Sequence, residues 1–282
     1  MTATRNLNRR SFMHAALAVA GGLAASPGMA FTAGQRRVDN VGLQLYTLRE
    51  SMQEDFAGTL ARVAEIGYTE MEFAGYFGNS GSRVRRMLDD NGLTSPASHV
   101  GIHLLRADMN AELDYAAEVG QRLIIVPFLT PDEREIDMYH GHAEFLNRLG
   151  EACRSRGMIA AYHNHDFEFL DQGGQRGFDI LLNETEPDLV SIELDLYWAV
   201  HAGVNPTDCL LEHPGRYKAF HVKDRTTAGD MVDVGRGDID FAEIFSFADV
   251  GGVEHFFVEH DRPSSQFDSV AFSYDSVKAI RY

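Results

Sequence analysis

DFAGTLARVAEIGYTEMEFA, residues 55–74, holds one full unit of the pattern on which the fold is read. Apolar residues recur at helical spacing from Asp55 to Ile66, Gly67 supplies a left-handed stop, and Thr69–Ala74 follows as a short strand-like run. The same beat extends in both directions. Eight apolar, β-branched or aromatic runs lie at Val41–Tyr46, Thr69–Ala74, Thr94–Val100, Leu123–Phe128, Met158–Asn164, Leu189–Leu196, Tyr217–Val222 and His255–His260. Helical patterns separate them at Asp55–Ile66, Ser82–Asp90, Met109–Val119, Asp137–Arg156, Phe178–Asn183 and Phe241–Phe247, and Ser269–Ile280 closes the series. Between the sixth and seventh runs, Asn205–Gly215 has room only for a short helix. Glycines 67, 92, 120, 157 and 252 each precede a strand. Eight βα units without a linker predict a single (β/α)8 TIM barrel over residues 38–282. An open doubly wound sheet fits less well, because no strand–helix turn carries G-x-G-x-x-G.

The composition agrees with a folded, acidic chain: 42 Asp and Glu against 25 Lys and Arg give a formal net charge of −17, with 44% hydrophobic residues. No basic stripe follows residue 40, which argues against a nucleic-acid partner. Cys153 and Cys209 signal neither a disulfide framework nor a thiolate zinc site. The phenylalanines are scattered and mark no interface, so an oligomer is allowed but not indicated. Residues 1–30 read as a removable export signal: Arg5, Arg9 and Arg10 without an acid, an Ala-rich apolar stretch, then Gly28-Met29-Ala30. Asn8-Arg9-Arg10-Ser11-Phe12-Met13 has the form of a twin-arginine signal, which places the mature protein in the periplasm or otherwise outside the cytosol. No stable membrane span is expected after its removal.

In such a barrel the chemistry sits at the C-terminal strand ends. These carry Ser98-His99, Tyr162-His163-Asn164-His165-Asp166-Phe167-Glu168, Glu193-Leu194-Asp195, Tyr197-Trp198, Phe220-His221-Val222-Lys223-Asp224 and Val258-Glu259-His260-Asp261. Carboxylates and imidazoles converging on one axis suit a divalent ion such as Mn²⁺, Zn²⁺, Co²⁺ or Mg²⁺. Without one, the carboxylates would repel one another.

These stretches, with Gly42-Leu-Gln-Leu-Tyr-Thr-Leu-Arg49, resemble the sugar phosphate isomerase/epimerase family of the xylose-isomerase-like barrel superfamily. The resemblance implies Asp195, His221 and Glu259 as metal ligands. It also implies an acid from the fifth strand, where this chain has His163 in place of the usual Glu. Glu168 is the preferred substitute, with His163 as ligand or acid/base. The implied reaction removes a proton beside a carbonyl, the ion stabilising the enediolate, with Glu259 and either Glu168 or His163 as proton carriers. His99 and His165 are expected to orient sugar hydroxyls, Tyr46, Glu72 and Trp198 to wall the pocket, and Lys223 and Asp224 to support the ligands, with a structural ion pair as the equal alternative for Asp224. Export and the lack of a phosphate cradle point to an unphosphorylated small-molecule carbohydrate; Gly235-Arg236-Gly237 reads as a turn leading to a helix at Asp238. The main expectation is an isomerase or epimerase. The alternative is a 3-keto-glycoside lyase or dehydratase, which starts from the same proton abstraction. A metal-dependent hydrolase and an exported sugar-binding protein are the remaining classes.

Overall fold

A computed structural model describes residues 36–282; the expected export signal lies outside them. Eight parallel strands close into a barrel: β1 (Gly42–Gln44), β2 (Glu70–Phe73), β3 (Thr94–His99), β4 (Leu123–Val126), β5 (Ile159–His163), β6 (Val190–Asp195), β7 (Tyr217–Val222) and β10 (His255–Val258). The remaining two, β8 (Asp224–Arg225) and β9 (Met231–Val232), form a small antiparallel hairpin in the loop after β7. The ring closes where β1 pairs with β10, Gly42 opposite Phe257 and Leu43 opposite Val258. Backbone bonds between Arg36 and Tyr282, 3.0 and 3.1 Å, tie the two ends of the described chain beneath that seam. The fold is the single TIM barrel that the repeat predicts.

Each helix buries one apolar stripe against the strands. Phe56–Ile66 is capped by Asp55, whose side chain accepts from the Gly58 N–H, and it ends at Gly67 with φ +119°. Leu60 and Val63 are fully buried there. Some elements depart from the sequence reading. The helix expected from Met109 begins at Ile102 and bends at Asp108 (φ −154°), whose carboxylate caps the second segment at Ala111. Two short helices, Arg49–Glu54 and Leu196–His201, have no counterpart in the sequence reading; the second follows β6 directly, started by Asp195. The helical pattern read at Phe241–Phe247 does begin at Phe241, with Asp240 as its cap, while Asp238, to which the Gly235 turn is expected to lead, accepts from the Thr227 N–H.

Inside the barrel, alternation of side chains along each strand builds layers. Ala97, Leu123, Ile125, Ala161, Ala219 and Phe257 form a dry plug, separate from the larger core between strands and helices. Two residues further along four of those strands come His99, His163, His221 and Glu259. The plug is thus the floor on which the polar layer stands, and its three alanines leave the axis to the Phe257 ring. That ring leans on Gly42: a β-carbon there would overlap its edge. Gly42→Ala is therefore expected to destabilise the protein by about 1–3 kcal/mol, read as a lower urea midpoint at unchanged slope; an unshifted midpoint would show that the ring does not fill the axis.

Candidate active site

His221 organises the mouth of the barrel. It is fully buried and faces carboxylates through both ring nitrogens. Below it, Nε2 donates to Glu72 Oε2 at 2.6 Å and lies 3.1 Å from Glu193 Oε2. Gln44 Nε2 also donates to Glu72 Oε2, 2.7 Å, and His99 Nε2 donates to Glu193 Oε2, 2.7 Å. Above it, Nδ1 lies 2.8 Å from Glu259 Oε2 and 3.6 Å from Asp195 Oδ2. Lys223 reaches the same upper level, its Nζ 2.9 Å from Asp195, 2.6 Å from Glu259 and 3.0 Å from Asp261.

The upper group, His163, Asp195, His221 and Glu259, offers four ligand atoms that all lie within 4.8 Å of one another. Its protons show what it lacks. His163 Nδ1 faces the Pro127 carbonyl at 3.0 Å and must donate to it, so Nε2 turns a lone pair toward Asp195 Oδ2, 3.1 Å away. His221 Nδ1 is fully buried and finds no hydrogen-bond partner, although a carboxylate oxygen stands beside it. Lys223 already balances part of the carboxylate charge, and the His163 lone pair and the unpartnered His221 Nδ1 are the positions that a bound cation would use. Two imidazole nitrogens and two carboxylate oxygens fit a divalent ion. A second group of ligand type lies one layer down, Glu72, His99, Glu193 and His221, already joined by the hydrogen bonds above.

The same arrangement sets the protonation states. Burial opposes charge on Asp195, but Lys223, His163 and His221 hold its carboxyl well below the usual range. Glu259 is likewise held far down against its burial by Lys223 and His221. For His221 burial is outweighed by Glu193, Glu259 and Glu72, which raise its pKa strongly. Burial and the neighbouring His221 depress His163, keeping it a neutral donor of a lone pair.

Most residues singled out from sequence meet here, with changed parts for some. His99, His163, His165, Lys223, Glu259 and Tyr46 line one cavity of about 530 Å³. Glu72 lies beneath His221, fully buried, and forms no part of the wall. Trp198 stands behind His165, ring centroids 5.3 Å apart. Glu168 is turned away from the metal group: it accepts from the Tyr162 hydroxyl at 2.6 Å and the His165 N–H at 2.7 Å, and burial pushes its carboxyl up to about 8. The imidazole of His163 stands in the ligand group where the sequence reading preferred Glu168. Asp224 forms no ion pair; its carboxylate collects the N–H groups of Arg225, Gly235 and Gly237. The one loop that could cradle an anion is therefore filled by the chain's own carboxylate. Sequence reasoning left Glu193, Gln44 and Asp261 without roles. Glu193 and Asp261 each lie two residues from an assigned ligand, which on a strand means the same face; Gln44 has no such signal beyond ending β1.

The model of the xylose isomerase-like TIM barrel family matches residues 60–271. The chain belongs to that family. Among curated relatives, the inosose dehydratase of Geobacillus kaustophilus is 24% identical over 188 residues, 58% of this chain and 60% of the relative. The inosose dehydratase of Geobacillus thermodenitrificans is 27% identical, again over 60% of its length. The chain thus matches about three fifths of these relatives. Among solved structures, a sugar phosphate isomerase/epimerase from Parabacteroides distasonis superposes with a TM-score of 0.75 at 28% identity, covering 89% of this chain and 96% of that one. The IOLI protein, solved with a bound zinc atom, shares the fold at 14% identity and a TM-score of 0.66, over 84% and 96% of the two chains.

Two outcomes test the group. Because Glu72 fixes His221 through Nε2, Glu72→Gln should weaken divalent-ion affinity roughly 10–100-fold, measured by chelator competition, with the fold kept by circular dichroism. Because the ion must displace the His221 proton, affinity for Mn²⁺ or Zn²⁺ should rise with pH, about ten-fold per unit below the His221 pKa. A pH-independent affinity would place the ion elsewhere.

Proposed function

We propose that the protein is a divalent-metal-dependent lyase acting on an unphosphorylated keto-sugar or its glycoside. It would remove the proton beside the carbonyl and expel the β-oxygen substituent as water or an alcohol. The observation that carries the reading is the inequality of the carboxyls around the cavity. Epimerisation is served by two proton carriers on opposite faces of one carbon. Here Glu168, the expected counterpart of Glu259, is occupied by Tyr162 and the His165 N–H, and Glu259 has lost its basicity to Lys223 and His221. Among the carboxyls that line the cavity, Asp261 stands 3.0 Å from Lys223 Nζ and is raised by burial.

His163, Asp195, His221 and Glu259 would hold the ion, which when bound draws electron density from a carbonyl and a neighbouring hydroxyl oxygen. Asp261 would take the α-proton. The electron pair of the broken C–H bond forms the new double bond, the β C–O bond breaks, and the same proton passes from Asp261 to the departing oxygen. One carboxyl thus completes an elimination on one face. The Lys223 ammonium, fixed by three carboxylates, would stabilise charge gathering on the substrate. His165, pushed down to about 2 by burial and by His163, would meet hydroxyls as a neutral ring, whereas the Nε2 of His99 is already given to Glu193. The inosose dehydratase relatives support elimination, and the isomerase/epimerase neighbour supports proton abstraction beside a carbonyl. The Asp224-filled loop and the export signal expected at residues 1–30 support an unphosphorylated substrate met outside the cytosol.

Incubating the protein with Mn²⁺ and a 3-keto-glucoside in D₂O should release the aglycone and an unsaturated keto-sugar, and chelation should abolish release. Asp261→Asn is expected to lose at least 100-fold in turnover while retaining the ion by elemental analysis. A deuterated epimer without release would favour the isomerase/epimerase reading, and an Asp261→Asn variant as active as wild type would falsify the assignment of the base.

A further inference from the structure

The walls of the cavity divide by strand. The ends of β5, β7 and β10 and the segments after them contribute His163, His165, Lys223, Glu259 and Asp261, whereas the side of β1 to β4 contributes Tyr46, Tyr76, Leu104 and Phe128, with His99 and Glu112 its polar members. Tyr46, in the helical turn after β1, Leu104, in the first turn of the helix from Ile102, and Phe128, after β4, are 43%, 44% and 42% exposed around one mouth. A single exposed apolar residue needs no explanation, but a continuous apolar wall facing a charged floor marks a binding surface. The rings are also held in place. The Arg49 guanidinium lies 4.3 Å from the Tyr46 centroid and that of Arg134 lies 4.7 Å from the Phe128 centroid. Each ring has a cation over one face and keeps nearly half its surface open. The two halves meet at Phe128, whose ring stands edge-on to His165 with centroids 5.1 Å apart.

We infer that the substrate is a keto-sugar glycoside whose aglycone is aromatic, the sugar seated over the β5–β10 half and the aglycone against the β1–β4 half. This rests on the lyase reading and adds the chemistry of the group expelled. Size comes first: about 530 Å³ lies within the range that encloses a drug-sized ligand and exceeds what one sugar ring fills. Polarity decides what takes the rest. A second sugar would bring several hydroxyls needing partners, yet the Tyr76 hydroxyl is given to Gln121 at 2.9 Å and His99 Nε2 to Glu193, which leaves Glu112 as the carboxylate on this side of the cavity to meet them. A flat apolar ring asks for nothing that this wall lacks, and stacks on what it has.

The test compares three 3-keto-glucosides with Mn²⁺-loaded protein: methyl, benzyl, and one carrying a second glucose. Benzyl and methyl alcohols are similar leaving groups, so a difference between them reports binding. The benzyl compound should be favoured over methyl by 10–100-fold in kcat/KM, mainly through KM, and over the disaccharide by a similar factor. Phe128→Ala should reduce the benzyl-to-methyl ratio at least five-fold, with ion content unchanged. Equal values for benzyl and methyl, or a preference for the disaccharide, would overturn the inference. Absence of release from all three would sink the lyase reading alone. The aglycone inference would then be judged from binding of benzyl and methyl β-glucoside, followed by the fluorescence of Trp198, the chain's one tryptophan, where equal affinities reject it and tighter benzyl binding supports it.

Discussion

Four carboxylates, Glu72, Glu193, Asp195 and Glu259, are packed around the two nitrogens of one imidazole, and none is more than 5% exposed. Charge at that density away from water is tolerated only with compensation close by. The surrounding architecture is largely that compensation. Lys223 bridges two of the carboxylates and Asp261 from above; His99 and Gln44 donate from the sides; His221 separates the upper pair from the lower pair. The dry plug of Ala97, Ala161, Ala219 and Phe257 bars water from below, which sharpens every charge effect above it. A divalent ion in the upper group would add to that balance, next to four side chains whose ligand atoms already lie within 4.8 Å of one another.

The repeat of helix, glycine and strand made the barrel legible, since burial on two faces leaves near-continuous apolar runs and helices must stop in a left-handed residue before turning back. Ligands at the strand ends were legible for the same reason: once the strands are placed, the polar residue that ends each one faces the axis. What escaped was set by partners distant in sequence. Glu168 sits in a promising stretch, but whether a carboxylate five residues past a strand turns inward depends on where Tyr162 and the His165 N–H offer it hydrogen bonds. Asp195 serves as helix cap through one oxygen and as site residue through the other, so a helix began where only a ligand was expected. The hairpin β8–β9 is too short for periodicity to register. Glu193 shows a different gap: alternation places it inward beside Asp195, and only its depth, one layer below, gives it a separate task.

Comparison with relatives fixes the family and leaves the reaction to the site. Under the proposed lyase reading the deciding differences are few: which carboxyls remain basic, and what the far wall will accept. In this chain both would lie in residues outside the proposed ligand group. Asp261 differs from Glu259 mainly in having one cationic neighbour instead of two, and Phe128 differs from His165 in offering a face without a proton. Reaction type and substrate type can thus change by substitution around an unchanged ligand set.

The seam between β1 and β10 has a consequence for synthesis. His163, Asp195 and His221 leave the ribosome before Glu259, and the Thr47 hydroxyl, in the helical turn after the first strand, waits to accept from the N–H of His260, just past the last. Until that seam forms, three members of the proposed ligand group stand without the fourth. Closure joins segments far apart in the chain, the slow kind of contact. An ion held by all four would therefore be captured tightly only among the final events of folding, and its retention would report a finished barrel.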